Sequence, residues 1–268
     1  MKKCVRVAIK EIKKKCTNPV TFFCMLAIMV LCFTGVVATS ASNGKSYTCI
    51  DVLINADLRK RYGVTSLQMI AAAISPYMTM FVPLVASVPY VLSLDEERRK
   101  NNILFRLIRI DKKTYFISEY LSAVISAGVT VFGGMILYSF IVFAAFGSLP
   151  APDLFLSYIK IFAGSFIYGM NSVQLAFAFS AFIENKFICC TLPYALTYAF
   201  YTFLSMITAV ALKNGQFELF VKIQALYKSN LVYVFEKNDY LKITVIYALI
   251  IQVFSIVMYI AIWSKKNK

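Results

Sequence analysis

Two stretches without a single charged residue, 29 residues from Ser66 to Leu94 and 33 from Tyr120 to Pro152, constrain this chain more than any other feature. About 20 apolar residues in a helix cross a hydrocarbon core roughly 30 Å thick, and soluble helices rarely run so long without charge. Four further stretches are long enough. The spacing predicts six spans, at about 20–38, 66–94, 116–146, 159–183, 187–212 and 243–263. The expected fold class is all-α, a polytopic membrane protein forming a single transmembrane domain over residues 1–268. Charged residues, at 15%, fall well below the roughly 25% of soluble chains, and the mean hydropathy is +0.70.

The residue types present exclude much chemistry. With no histidine, Ser-His-Asp and Cys-His catalysis and histidine-ligated zinc or haem are ruled out. The 13 acidic residues lie almost entirely outside the apolar stretches, leaving little material for a carboxylate pair at membrane depth. No catalytic residue and no metal site are therefore expected. Cys24, Cys32, Cys189 and Cys190 fall in spans, Cys4 and Cys16 on the inner side, and Cys49 alone on the outer side, so no disulfide framework is expected. The first apolar run begins 19 residues in and lacks an A-x-A site, so the N-terminus reads as retained.

Orientation follows from basic residues near the span ends. With the N-terminus cytoplasmic, 18 of the 28 Lys and Arg residues face inward and 10 outward. Both termini are therefore expected inside. The net charge of +15 is read as contact with anionic headgroups rather than with nucleic acid.

Three segments are not simple spans. Residues 1–19 carry an amphipathic helix: Val5, Ile9, Ile12 and Cys16 share one face, and Lys2, Lys3, Arg6, Lys10, Lys13 and Lys14 cover the rest. Such a helix lies in the inner membrane surface, apolar side down. A solvated tail accounts for the lysines but not for the phased isoleucines. Residues 95–113 open acidic (Asp95, Glu96, Glu97), turn basic (Arg98, Arg99, Lys100) and pass through Asn101 and Asn102. An apolar octet follows, Ile103-Leu104-Phe105-Arg106-Leu107-Ile108-Arg109-Ile110, with Arg106 and Arg109 one turn apart. An apolar patch on a cytoplasmic connector calls for a partner. Residues 213–242 are too apolar for a free loop and too interrupted for a span; short helices dipping into the outer leaflet are expected there.

This order of elements resembles the permease subunits of ABC exporters of the type-2 class, and the topological resemblance covers nearly the whole chain. In that family the connector after span two carries an E-R-E-x-G-T-like run that begins the coupling helix docking on the ATPase. The matching residues are Glu97-Arg98-Arg99-Lys100-Asn101-Asn102. The motif resemblance covers about fifteen residues, and Asn101, Ile110 and Glu119 stand where the family often has glycine, proline and lysine. The resemblance implies a coupling helix at Glu96, Glu97, Arg98, Arg99, Asn101, Ile103, Leu104, Phe105, Arg106, Leu107 and Arg109. It also implies an interfacial helix bearing Arg6, Ile9, Lys10, Ile12 and Lys13. ATP and Mg would sit on a separate cytoplasmic ATPase in two copies. A second permease copy or a sibling would complete the pathway, and a peptide, antibiotic or other amphipathic cargo would move across a bacterial plasma membrane by alternating access.

The segment Asn43-Gly44-Lys45-Ser46 ends like a P-loop, but Thr39 replaces the required first glycine and the segment falls outside the membrane. Two alternatives remain: a stand-alone membrane immunity or resistance protein, and the six-span substrate-binding component of an importer. A prenyl-peptidase-like protease fits worse. Glu96-Glu97 resembles its glutamate pair, but Asn101 replaces the expected arginine and no histidine follows. Glu119 and Lys160, near span ends, are expected to snorkel to the interface. Asn171, Gln174 and Gln252 are candidates for polar contacts between helices.

Overall fold

The computed structural model describes residues 2–40, 44–100, 103, 108, 110–147, 154–216, 218, 246 and 249–261. Helix α1, Lys2–Cys16, ends in a turn where Asn18 Oδ1 accepts the Val20 N–H at 2.9 Å and caps α2, Pro19–Cys32. Asparagine at the cap and proline in the first turn start a helix without stranding a donor. Thr21 Oγ1 donates to the Lys15 carbonyl at 2.6 Å across the corner, and the two helices meet at 60°.

Helix α2 has 14 residues, about 21 Å at 1.5 Å per residue, which is shorter than the hydrocarbon core. The predicted span 20–38 thus ends early. Its remainder, with β-branched Val36, Val37 and Thr39, forms strand β1 (Val36–Thr39), paired antiparallel with β2 (Ser46–Thr48). Gly35 permits the turn, since a Cβ there would lie 2.0 Å from the Ala72 carbonyl oxygen.

Three short helices complete a cap on this end of the bundle: α3 (Cys49–Ile54), α4 (Ala56–Tyr62) and α5 (Ser66–Ala72). Capping boxes start α3 (Thr48 with Asp51) and α5 (Thr65 with Gln68), Asn55 caps α4, and Gly63 at φ 57° ends it. The Thr48 N–H and hydroxyl donated to Asp51 hold its carboxyl below the usual aspartate range. The Arg59 guanidinium donates to the Ala145 carbonyl and lies 5.2 Å from the Phe146 ring, binding the cap to the long helix beneath. Cys49, expected on the outer side, is buried under this cap, with its Sγ 3.8 Å from the Met69 carbonyl.

The predicted second span, 66–94, is two helices, α5 and α6 (Pro76–Arg99), because Ser75 caps a new helix whose first turn holds Pro76. Helix α6 continues past Leu94 and takes in Asp95–Arg99. Helix α7, Lys112–Phe146, runs 35 residues from an Asp111 cap to Gly147 at φ 61° and contains the third predicted span. Helices α8 (Phe155–Ser172) and α9 (Gln174–Ser180) cover the fourth, α10 (Lys186–Lys213) the fifth, and α11 (Leu249–Ala261) lies within the sixth. Four units, α6, α7, α8–α9 and α10, are long and apolar enough to cross a membrane, and the α1–α2 pair, bent by 60°, counts as a fifth only where the two are taken as one span. The chain is therefore an all-α membrane protein with four to five such units among the described residues, where six were expected. The helices expected in 213–242 lie outside the described residues beyond the end of α10.

Helix α7 is central and packs against α1, α2, α6 and α8. Small residues set its crossings: a Cβ at Gly134 would meet Ile28 at 2.5 Å, and one at Gly169 would meet the Ala127 carbonyl at 2.7 Å. In lipid, where no hydrophobic force drives helices together, such close approach supplies the packing energy. Pro83 inside α6 removes the N–H that would serve the Thr79 carbonyl. The Tyr168 hydroxyl, from α8, donates to that carbonyl at 2.7 Å instead.

Candidate functional site

Two groups of charges meet at the end of the bundle that carries α1. The first comes from the last turns of α6. Successive helical residues are about 100° apart, so a run of six charged residues faces every neighbour in turn. Asp95 pairs with Arg99 at 3.2 Å and with Lys186, at the start of α10, at 3.3 Å. Glu96 pairs with Lys100 on the exposed side. Glu97, 1% exposed, takes Lys14 Nζ of α1 at 3.2 Å. Arg98 donates to the Ile183 carbonyl at 3.2 Å and to the Ser180 carbonyl, closing the C-terminal end of α9. A cation there also answers the helix dipole.

The predicted docking residues therefore divide. Glu97 and Arg98 turn inward and hold helices together, whereas Glu96 and Arg99 stay on the surface. Ile103 is helical and half-buried against the core, and Ile108, also helical, is 82% exposed. Asn101, Leu104, Phe105, Arg106, Leu107 and Arg109 lie outside the described residues.

The second group is buried. Lys15 Nζ lies 2.6 Å from Glu119 Oε1, 2.7 Å from Ser122 Oγ and 4.9 Å from the centre of the Tyr90 ring. Both ends of the ion pair are at most 1% exposed. The expectation that Glu119, from its place near a span end, snorkels to the interface is therefore not met: its carboxyl is buried against Lys15. An ionised carboxylate at that depth needs a partner, and α1 brings it one. Lys160 is exposed.

Helix α1 turns a different face to the protein from the one its isoleucines mark. Ala8, Glu11 and Lys15 are buried, while Val5, Arg6, Ile9, Lys10 and Lys13 are exposed and Ile12 is half-buried. Of the apolar stripe, Val5 and Ile9 are thus left outward, and Ile12 and Cys16 are half-buried. Around the buried pair, the Tyr90 hydroxyl bonds Ser180 Oγ at 2.8 Å, and Tyr90 packs beside Phe177, which stacks on Tyr259 at 4.4 Å. Of the polar residues expected to link helices, Gln252 reaches Asn171 at a long 3.5 Å, whereas Gln174 donates within its own chain turn to the Met170 carbonyl.

Sequence reasoning missed Lys15, Ser122 and Tyr90 as a unit. A signal was present: Glu119 is the one acid between Asp111 and Asp153, and such a residue demands a cation. Among the described residues, no group of three or more His, Cys, Asp or Glu could hold a metal ion. No family model matches the chain, and no curated protein is significantly similar to it.

Proposed function

We propose that the chain is the membrane-spanning subunit of an ATP-driven transporter of the type-2 ABC exporter class. It moves a peptide, antibiotic or other amphipathic cargo across a bacterial plasma membrane by alternating access, with both termini cytoplasmic. ATP and Mg are bound by a separate ATPase present in two copies, and a second permease copy or sibling completes the pathway.

One observation carries this reading. The N-terminal helix is fastened by Lys14 to Glu97 and by Lys15 to Glu119, at the two points where the connector 100–111 leaves α6 and enters α7. A force applied to that connector from the cytoplasm would reach two spans and the interfacial helix together. Glu96, Arg99, Lys100 and Ile108 remain exposed at the same end for a partner to grip. A partner ATPase biases the transport equilibrium only by binding one state more tightly, so its contact must lie on elements that move with the spans.

The test is purification of the tagged chain from its native membrane. The expected result is an ABC ATPase in stoichiometric amount, lost from an Ile103→Asp/Arg106→Glu/Arg109→Glu variant that still elutes as a folded protein. Absence of an ATPase, or equal capture by the variant, overturns the reading.

A further inference from the structure

Lys15 belongs to the N-terminal helix α1, and the groups that hold its ammonium belong to two other helices, Tyr90 to α6 and Glu119 and Ser122 to α7. Two of those three groups, Ser122 and Tyr90, are held by bonds that do not involve Lys15. Ser122 Oγ donates its own proton to the Glu119 carbonyl at 2.9 Å, so toward Lys15 it acts as an acceptor. The Tyr90 hydroxyl is tied to Ser180 Oγ at 2.8 Å, which fixes the ring face. Glu119 Oε2, buried as well, has no hydrogen-bond partner among the described residues and keeps acceptor capacity for a further N–H.

We propose that Glu119, Ser122 and Tyr90 constitute a binding site for a primary ammonium group, filled here by Lys15 as a tethered ligand that docks the N-terminal helix. The chemistry selects that class. An alkylammonium has three N–H donors on a compact charge. The carboxylate takes one at 2.6 Å, the hydroxyl a second at 2.7 Å, and the aromatic face receives the remaining positive edge. A quaternary ammonium has no N–H for the carboxylate or the hydroxyl. A guanidinium is a flat fork with donors at fixed angles, a poor match for acceptors arranged around a point.

Nothing in this inference involves an ATPase or a cargo, so its failure and that of the transport reading are separate. The experiment is thermal unfolding of purified Lys15→Ala in detergent with increasing ethylammonium chloride, against tetramethylammonium chloride at equal ionic strength. Lys15→Ala is expected to unfold several degrees below the parent protein. Ethylammonium is expected to restore most of that loss with a saturable dose response, and tetramethylammonium to restore none. The parent, whose site is filled, and Lys15→Ala/Glu119→Gln, whose carboxylate is gone, are expected to give no ethylammonium-specific response. Equal effects of the two salts on Lys15→Ala, or an ethylammonium response in the double variant, overturn the proposal. Should Lys15→Ala fail to fold, Lys15→Arg decides: a midpoint equal to that of the parent shows a site that accepts any cation and overturns the proposal, and a loss of several degrees upholds it.

Discussion

Pro83 and Tyr168 show how a single missing donor is repaired across a helix interface. The Thr79 carbonyl, left without its helical N–H, is served by the Tyr168 hydroxyl at 2.7 Å. Tyr168→Phe strands that carbonyl away from water, and unfolding in detergent is expected to show a loss of about 1–3 kcal/mol. Pro83→Ala restores the helical donor, so Tyr168→Phe made in that background is expected to be nearly silent. An equal loss in both backgrounds would mean that the hydroxyl does not serve the carbonyl. The buried pair obeys a related rule with larger stakes. Glu119→Leu alone leaves Lys15 charged and unpaired, at a cost of about 3–5 kcal/mol. The double change Lys15→Met/Glu119→Leu removes both charges and is expected to recover most of it, a coupling that a double-mutant cycle reads directly. Neither partnership is legible along the chain, because Lys15 and Glu119 are 104 residues apart. What is legible is the need: a lone carboxylate in an apolar stretch, and a proline inside a helix, each announce a missing partner without naming it.

At the level of elements, hydropathy finds helices well and their ends poorly. Helices α7 and α10 stand where long apolar runs place them, whereas the caps at Asn18 and Thr48 that start α2 and α3 leave no mark in hydropathy. The first predicted span fails past Cys32 because Val36, Val37 and Ala38 are as apolar as a span needs, yet pair as a strand once Gly35 lets the chain approach Ala72. The second fails at Pro76, where a new cap resets the helix. The cap built from these pieces covers Cys49, which is 0% exposed. Cys49 is therefore expected to resist an impermeant maleimide in the folded protein and to react once the chain is unfolded in denaturant. Rapid labelling of the folded protein at Cys49 would contradict the packing of α3 beneath the hairpin. Gly169 tests the α7–α8 crossing: Gly169→Ala forces a methyl against the Ala127 carbonyl and is expected to destabilise by about 1–3 kcal/mol.

For the whole molecule, charge arithmetic and geometry address different questions. The distribution of lysine and arginine predicts a side for each end, and the ion pairs determine which elements share an end. Lys14–Glu97 and Lys15–Glu119 put α1 beside the connector, while Arg59 lies with the cap at the opposite end, against Ala145. Cysteines introduced at Lys13 and Lys60 are accordingly expected to label from opposite faces of sealed cells, Lys60→Cys from outside and Lys13→Cys after permeabilisation; labelling of both from one face would overturn the orientation. The separation of Lys15 from Glu119 along the chain also imposes an order in time. Lys15 is synthesised long before its carboxylate, so the N-terminal helix has only the Lys14–Glu97 anchor on α6 until the start of α7 has left the ribosome. Until then its lysines can rest among lipid headgroups. Docking of the first helix is thus completed only once the start of α7 has been made, and it fastens α7 to the N-terminal helix.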